Sequence, residues 1–192
     1  VIRCVGNPDR RFNEDALRML RAYRFCAKLG FSMDETVKTS IDTNASLIQY
    51  VSIERIVHEL KEIMETNPQV LADMTLLLKP VFKELDLALH CSQNSIYHHT
   101  DVLHHTLDAM SYLKPYDETL AFALLFHDLG KVQVKTTDSK GKDHFKHHAM
   151  VGSELSKELC RRFKLTNDQR KWIPFYVLHH DDKFTCDLDC IY

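Results

Sequence analysis

Long apolar runs are absent from this chain. Nothing in its 192 residues approaches the roughly 20 consecutive apolar residues that a membrane-spanning helix needs, and no signal-peptide pattern opens it. No membrane partner is therefore expected, and a cytoplasmic location is. Cysteine is sparse and unpatterned: the six, at positions 4, 26, 91, 160, 186 and 190, have no framework spacing. That excludes a disulfide scaffold, and Cys186 with Cys190 lacks the second pair that would complete a zinc site, so reduced thiols are expected. Glycine and proline number only five each, and no internal repeat or low-complexity segment occurs. The formal net charge is only −2, so the chain as a whole is not a polyanion binder.

What is present is an ordinary globular composition, 44% hydrophobic and 27% charged. The length suits one full core, or one core with a smaller helical unit beside it. The charge is unevenly placed. Residues 1–30 carry Arg3, Arg10, Arg11, Arg18, Arg21, Arg24 and Lys28 against only Asp9, Glu14 and Asp15. A phosphate-rich partner would dock there. The other end is acidic, with Asp181, Asp182, Asp187 and Asp189.

The pattern is helical almost throughout, and the expected fold class is all-α. VIRCV reads as a short apolar strand. Asn13 is a candidate N-cap, Glu14 and Asp15 suit a positive first turn, and Gly30 suits a left-handed helix end. Leu17, Leu20, Phe25 and Leu29 recur at helical spacing. Ser32 with Glu35 forms a capping-box signature for a second helix running to about Leu47. Ser52 caps a third, which Asn67-Pro68 ends. Shorter helices are expected around 69–78 and 81–90, and a longer one from Asp101. Residues 118–129 form an apolar helix closed by Gly130. Residues 132–145 break the pattern as a loop or small hairpin, and helices resume at 148–164 and 167–180. The expected division is a helical neck over 1–70 and a second helical domain over 71–192.

Eleven of the twelve histidines fall between His90 and His180. A divalent metal needs imidazole and carboxylate ligands converging from separate elements, and His105, His127, Asp128, His148, His179 and His180 are spread over four expected helices or helix ends. Asp128 has two oxygens and could bridge two metals, and Lys131 could face a phosphate. The bland alternative is a helical bundle with satisfied or solvated histidines, and solvent exposure is the default for His98, His99, His104, His144 and His147. In the N-terminal unit, Asp15 and Arg18 stand one helical turn apart. They could form an intrahelical ion pair, or serve as an acceptor and donor that match the pairing edge shared by adenine and cytosine. Arg21 and Arg24 extend that row towards phosphates.

The order His, His-Asp, His, His-His resembles the HD superfamily of metal-dependent phosphohydrolases. That resemblance implies His105, His127, Asp128, His148 and one or both of His179 and His180 as ligands, with Lys131 auxiliary. It also implies a closing aspartate, for which Asp181, Asp182, Asp187 and Asp189 stand too near the His-His pair to be assigned. The stretch IRCVGNPDRRFNEDALRMLRAYRFCAKLGF, continued by VSIERIVHEL, resembles the neck of bacterial class II tRNA nucleotidyltransferases and their poly(A) polymerase relatives. Its EDxxR signature stands as Glu14, Asp15 and Arg18, and its ERIxxEL element as Glu54, Arg55, Ile56, Glu59 and Leu60. The likeness continues through DVLHHTL, LLFHDLGK and HFKHHAMVG, since many bacterial members insert an HD domain after the neck.

The resemblance implies a parent enzyme that extends tRNA or other RNA 3′ ends with ATP and CTP, using Mg²⁺. Asp15 and Arg18 would template the base, and ERIxxEL would support the neck. No Gly-rich nucleotide motif or paired-Asp motif precedes residue 13, so the polymerising head is expected to lie outside the chain. The HD site would carry Mn²⁺, Ni²⁺, Co²⁺ or Fe²⁺, with His127, Asp128 and Lys131 central to its catalysis. The competing expectations are a self-standing HD phosphohydrolase acting on nucleotides or 2′,3′-cyclic phosphates, and a non-catalytic RNA-binding module.

Overall fold

The most apolar long helix among the described residues is packed against three others. A computed structural model describes residues 1–94 and 100–182. His98, His99, Cys186, Cys190, Asp187 and Asp189 lie outside the described residues. The fold is all-α apart from one two-stranded hairpin.

The N-terminal part contains α1 (Pro8–Glu14), α2 (Leu17–Leu29), α3 (Glu35–Asn44), a 3₁₀ turn at Ala45–Tyr50 and α4 (Ile53–Thr66). Three short helices follow: α5 (Val70–Asp73), α6 (Thr75–Leu78) and α7 (Lys83–Leu89). The second part contains α8 (Val102–Ser111), α9 (Glu118–His127), α10 (Lys131–Val134), the strands β1 (Thr136–Thr137) and β2 (Asp143–His144), α11 (His148–Arg162) and α12 (Asn167–His179). Of the loop or small hairpin expected over 132–145, the strands form the hairpin, antiparallel and turning through Gly141 at φ 78°, but Lys131–Val134 is a short helix where none was expected.

Several local expectations are corrected by the geometry. VIRCV forms no strand; Ile2 makes a single bridge to Met33. The first helix begins at Pro8 rather than beyond Asn13. Asn7 caps it by accepting from the Arg10 N–H, and Pro8 needs no N–H at that position. Asn13 lies inside α1. The chain breaks at Asp15, whose carboxylate accepts the Leu17 N–H, so the EDxxR segment is a helix–helix junction and not one continuous turn. Asp34, not Ser32, caps α3. Ser52 occupies the N-cap position of α4 without a side-chain hydrogen bond. In α2 the buried face is Leu17, Met19, Leu20, Tyr23 and Ala27, whereas Phe25 and Leu29 are 42% and 50% exposed. Gly30 does end α2 in the left-handed conformation, φ 64°.

The neck is fastened by charge as well as by apolar packing. Helix α4 presents Ile56, Val57, Leu60, Ile63 and Met64 to the core at helical spacing and packs against α2. Between the two helices Glu59, its side chain 3% exposed, accepts Arg21 Nε at 3.1 Å and Arg24 Nε at 2.6 Å. Arg55 reaches Asp15 at 3.1 Å, and Glu54 reaches Lys164 at 2.6 Å, across to the end of α11. The charged residues of ERIxxEL therefore tie α4 to three different parts of the chain. Glu59→Ala leaves Arg24 facing a buried void and is expected to cost about 2–3 kcal/mol. That is below the usual penalty for orphaning a buried pair, because the half-exposed Arg21 can turn back to water. Arg21→Ala should cost under about 1 kcal/mol. Urea unfolding of both variants checks the difference, and equal losses would contradict this division of roles.

Helix α9 is buried nearly all round, with Ala121, Phe122, Ala123, Leu125 and Phe126 in the core. Helices α8, α11 and α12 pack around it. Phe82, between the two parts of the chain, meets Phe163 edge-on at 5.0 Å and Phe126 at 6.0 Å. A central helix held on all sides is a rigid mount, and the His-Asp pair sits at its C-terminal end.

Candidate metal centre

His127 is the last residue of α9, and Asp128 follows as its C-cap. His105 reaches the same point from the first turns of α8, His148 from the start of α11 and His180 from just past α12. Two groups of metal-competent atoms result, one of His105, His127 and Asp128, the other of Asp128, His148 and His180. Asp128 belongs to both. Its Oδ2 lies 3.3 Å from His127 Nε2 and 3.9 Å from His105 Nε2. Its Oδ1 lies 3.5 Å from both His148 Nε2 and His180 Nε2.

The tautomers follow from the backbone. His127, His148 and His180 each direct Nδ1 at the carbonyl three residues earlier: Leu124 at 2.6 Å, Phe145 at 2.9 Å and Val177 at 2.6 Å. A carbonyl can only accept, so each Nδ1 carries a proton and each neutral ring offers its Nε2 lone pair to the cluster. This is the arrangement by which outer-shell contacts orient metal-ligating imidazoles. His148 Nε2 and His180 Nε2 then face one another at 3.1 Å. Two lone pairs at that distance need a cation or a proton between them. Asp128 is 1% exposed, and its Oδ1 has no hydrogen-bond donor among the described residues. A buried carboxylate oxygen without a donor is costly unless something positive is bound there. The residues present therefore fit a divalent metal.

The electrostatics of Asp128 and His148 agree with that donor set, while without a metal His180 is shifted towards its protonated form. Burial alone would raise the Asp128 carboxyl, but the imidazoles of His127 and His180 and the ammonium of Lys131 outweigh it and hold it well below the usual carboxylate range. Burial pushes His148 below the ordinary imidazole value. Burial acts the same way on His180, but Asp128 and the Val177 carbonyl outweigh it and raise that residue. An ionised carboxylate and a neutral imidazole are the states a metal requires.

Other site residues fall where the sequence did not place them. Lys131 is buried and donates to Asp128 Oδ2 at 2.7 Å and to Gln93 Oε1 at 3.0 Å, so it is turned towards the carboxylate rather than to solvent. Gln93 was not foreseen, because nothing in its local sequence marks it; its Nε2 is buried without a partner among the described residues. Asp181 also enters the site, its Oδ2 3.1 Å from His148 Nε2 and its Oδ1 3.5 Å from His180 Nε2. Closeness to the His-His pair in sequence argued against it, but the helix has ended at His179 and the chain turns back. His179 points away from the cluster to Asp182 at 2.6 Å. His104 pairs with Asp101 and His144 with Asp138, outside the cluster.

In the neck, Arg18 pairs with Glu14 at 2.9 Å and donates to the Arg11 carbonyl, while Asp15 pairs with Arg55, so no Asp15–Arg18 pair forms. Arg21 and Arg24 both turn to Glu59.

Two family models match the chain, and together they define its class. Residues 30–89 match the "Probable RNA and SrmB- binding site of polymerase A", and residues 95–185 match the HD domain. The curated relatives narrow the class. The CCA-adding enzyme of Geobacillus sp. (strain WCH70) is 49% identical over 65 residues, 34% of this chain and 16% of the relative. That of Bacillus subtilis (strain 168) is 40% identical over 96 residues, 50% of this chain and 24% of the relative. That of Staphylococcus saprophyticus is 38% identical over 104 residues, 50% of this chain and 26% of the relative. These matches place an HD domain and a polymerase-A-type RNA-binding segment in the chain, and with the partial relatives they support its assignment to the bacterial class II tRNA nucleotidyltransferase and poly(A) polymerase family. The chain spans between about a sixth and a quarter of the length of these relatives. Among the described residues no helix is long and apolar enough to cross a membrane.

Proposed function

We propose that this chain serves an enzyme that adds nucleotides to tRNA 3′ ends from ATP and CTP, and that its HD domain is a metal-dependent phosphohydrolase within that enzyme rather than a self-standing one. The shared carboxylate of Asp128, buried between two ligand groups, carries the second half of this reading. In it His105, His127 and Asp128 would hold one metal, and Asp128, His148 and His180 would hold another, with Asp181 as a further carboxylate and His179 lining the approach. The metals would supply Lewis-acid stabilisation of phosphate charge and lower the pKa of water at neutral pH. The chain's own residues keep Asp128 ionised through His127, His180 and Lys131, present three Nε2 lone pairs, and shield the centre from bulk solvent. In the reaction, a water oxygen bonds to phosphorus, one P–O bond of the ester breaks, and the water proton passes to the departing sugar oxygen.

In the neck, Asp15 and Arg18 select the incoming base, with Glu14 and Arg55 holding them in place and Arg21 and Arg24 beside them. Supporting this, Arg18 makes both of its contacts through Nη1, which leaves the rest of the guanidinium to meet a base. In the full-length protein, Arg18→Ala should lower incorporation of both ATP and CTP into tRNA lacking its 3′ end; unchanged incorporation overturns the neck assignment.

The hydrolase is tested on the chain itself with Mn²⁺, Ni²⁺ or Co²⁺ and 2′,3′-cyclic AMP. His127→Ala should lower kcat/KM by more than the roughly 100-fold that loss of an outer-shell partner costs. Wild-type inactivity with every metal rejects the hydrolase.

A further inference from the structure

A second positively charged surface lies on α11 and α12, outside the basic segment of residues 1–30. Helices α11 and α12 pack side by side, and between them runs a groove of about 480 Å³ lined by Lys157, Arg161, Arg170, Lys171, Phe175 and Leu178 among others. Among the described residues no acidic side chain lines it. Glu154 holds Lys157 at 2.6 Å, but Arg161 and Arg170 have no carboxylate at ion-pair distance among the described residues. Lys171 lies over the Trp172 ring at 4.7 Å.

Aromatic rings continue from this groove to the histidines. Helix α12 carries two rows at i, i+4 and i+8: Lys171, Phe175 and His179, and beside it Trp172, Tyr176 and His180. Trp172 and Tyr176 are nearly parallel at 6.1 Å, and Phe175 lies 4.6 Å from His179. Phe175 also walls a second, mostly apolar cavity of about 470 Å³, bounded by Leu120, Leu124 and Tyr176 and closed by His127, His179, His180 and Asp182, the last paired with His179. Groove and cavity thus share Phe175, and the cavity ends on the metal centre. Trp172, Phe175 and Tyr176 are large rings left partly open to solvent on one face of one helix.

We propose that this face is a track for a single RNA strand, whose 3′-terminal phosphate ester enters the His–Asp cluster. This rests on the hydrolase reading above and names its substrate class: an oligonucleotide end rather than a free nucleotide. Unpaired cations beside exposed rings are what a single strand uses, its phosphates on the arginines and its bases on the aromatics. A duplex keeps its bases stacked and would leave the rings unused. A free nucleotide would fill the apolar cavity alone and leave Arg161, Arg170 and Lys171 with nothing to bind. The eight residue steps from Lys171 to His179 span about 12 Å of helix, the length of roughly three stacked bases. An acidic protein segment would match the cations but gives no role to a ladder of rings that ends at a phosphoesterase centre.

The test has two arms. In the first, a fluorescent single-stranded hexanucleotide with no hydrolysable end is bound to the chain without metal, across a range of salt concentrations. The triple variant Arg161→Ala/Arg170→Ala/Lys171→Ala should bind more weakly, with the slope of log affinity against log salt smaller in magnitude by about 2, as expected for three lost phosphate contacts to a single strand. An unchanged slope overturns the track and leaves the face to a protein partner. In the second arm, a hexanucleotide ending in a 2′,3′-cyclic phosphate is compared with 2′,3′-cyclic AMP in the presence of Mn²⁺. Wild type should prefer the oligonucleotide through a lower KM, and Phe175→Ala with Trp172→Ala should reduce that preference about tenfold. Equal kcat/KM for both substrates in wild type overturns the substrate class. Hydrolysis of neither substrate rejects the hydrolase reading instead, and the binding arm then decides the track alone.

Discussion

Asp128→Asn is expected to remove both metals with one substitution. The amide keeps the volume of the buried carboxylate but loses its charge, and Asp128 is the one residue common to both ligand groups. Wild type should gain thermal stability on adding Mn²⁺ or Ni²⁺, because a metal that binds only the folded chain stabilises it by mass action. At a hundred times the dissociation constant the gain is about 2.7 kcal/mol, roughly 5–10 °C in Tm for a chain of this size. The variant should show none of this shift, and its hydrolysis should fall to background. Outer ligands should behave differently. His105→Ala removes a ligand from one group, and His148→Ala from the other, so each should retain one metal per chain by elemental analysis. A variant Asp128→Asn that still gains stability from metal would remove the carboxylate from the centre of the site. Lys131 makes the result sharper: in the variant its buried ammonium loses its anion, keeps only neutral amide oxygens as acceptors, and further repels a cation.

The helical periodicity of this sequence was informative because helix faces are set by neighbours three and four residues away. The expected positions of α4, α8, α9, α11 and α12, and the small hairpin, all hold to within a few residues. The misplaced features are ones for which a single chemical choice had several local answers. Asn7 and Asn13 are equally good caps in composition, and Pro8 decided between them. Ser32 and Asp34 compete in the same way, and Asp34 accepts the Thr36 N–H while also pairing with Arg3 at 3.2 Å. Phe25 and Leu29 fit a helical spacing, but α2 buries the adjacent face against α4.

In the site, His105, His127, Asp128, His148 and His180 were legible because the residue types and their order carry the chemistry. Their convergence on one carboxylate rests on α8, α9, α11 and α12 packing together, which no local pattern states. Gln93 and Asp181 act through contacts far along the chain or across a helix end, and neither carries a sequence signature. Nor does the pairing of Arg21 and Arg24 with Glu59, since its partners are separated by 35 residues or more.

Gly130→Ala should be the most damaging substitution outside the ligands. The sequence offers Gly130 as the residue that closes the apolar helix, but its φ is −62°, a value any residue adopts. The glycine is required by proximity instead. A Cβ there would stand 2.3 Å from the His148 carbonyl oxygen, 2.6 Å from the Gly152 nitrogen and 2.9 Å from its Cα. All three are backbone atoms, so no rotamer change can relieve the overlap, and α11 must move away from the end of α9. The cost should reach the upper end of overpacking penalties, about 3 kcal/mol or more, which corresponds to roughly 6–12 °C in Tm. The displacement also acts on function. Helix α11 begins at His148, so the same shift draws one ligand away from Asp128, and displacements near 1 Å can cost about 100-fold in rate. Gly152→Ala, where the closest contact is 3.2 Å to the His127 carbonyl, should do less harm. Gly30→Ala, with φ 64° and open space around its Cβ, should lower stability by about 1 kcal/mol through backbone strain and leave metal affinity unchanged. Thermal unfolding and metal titration of the three variants check this order. If Gly130→Ala retained wild-type stability and metal affinity, the close approach of α11 to the His-Asp turn would not be what positions His148.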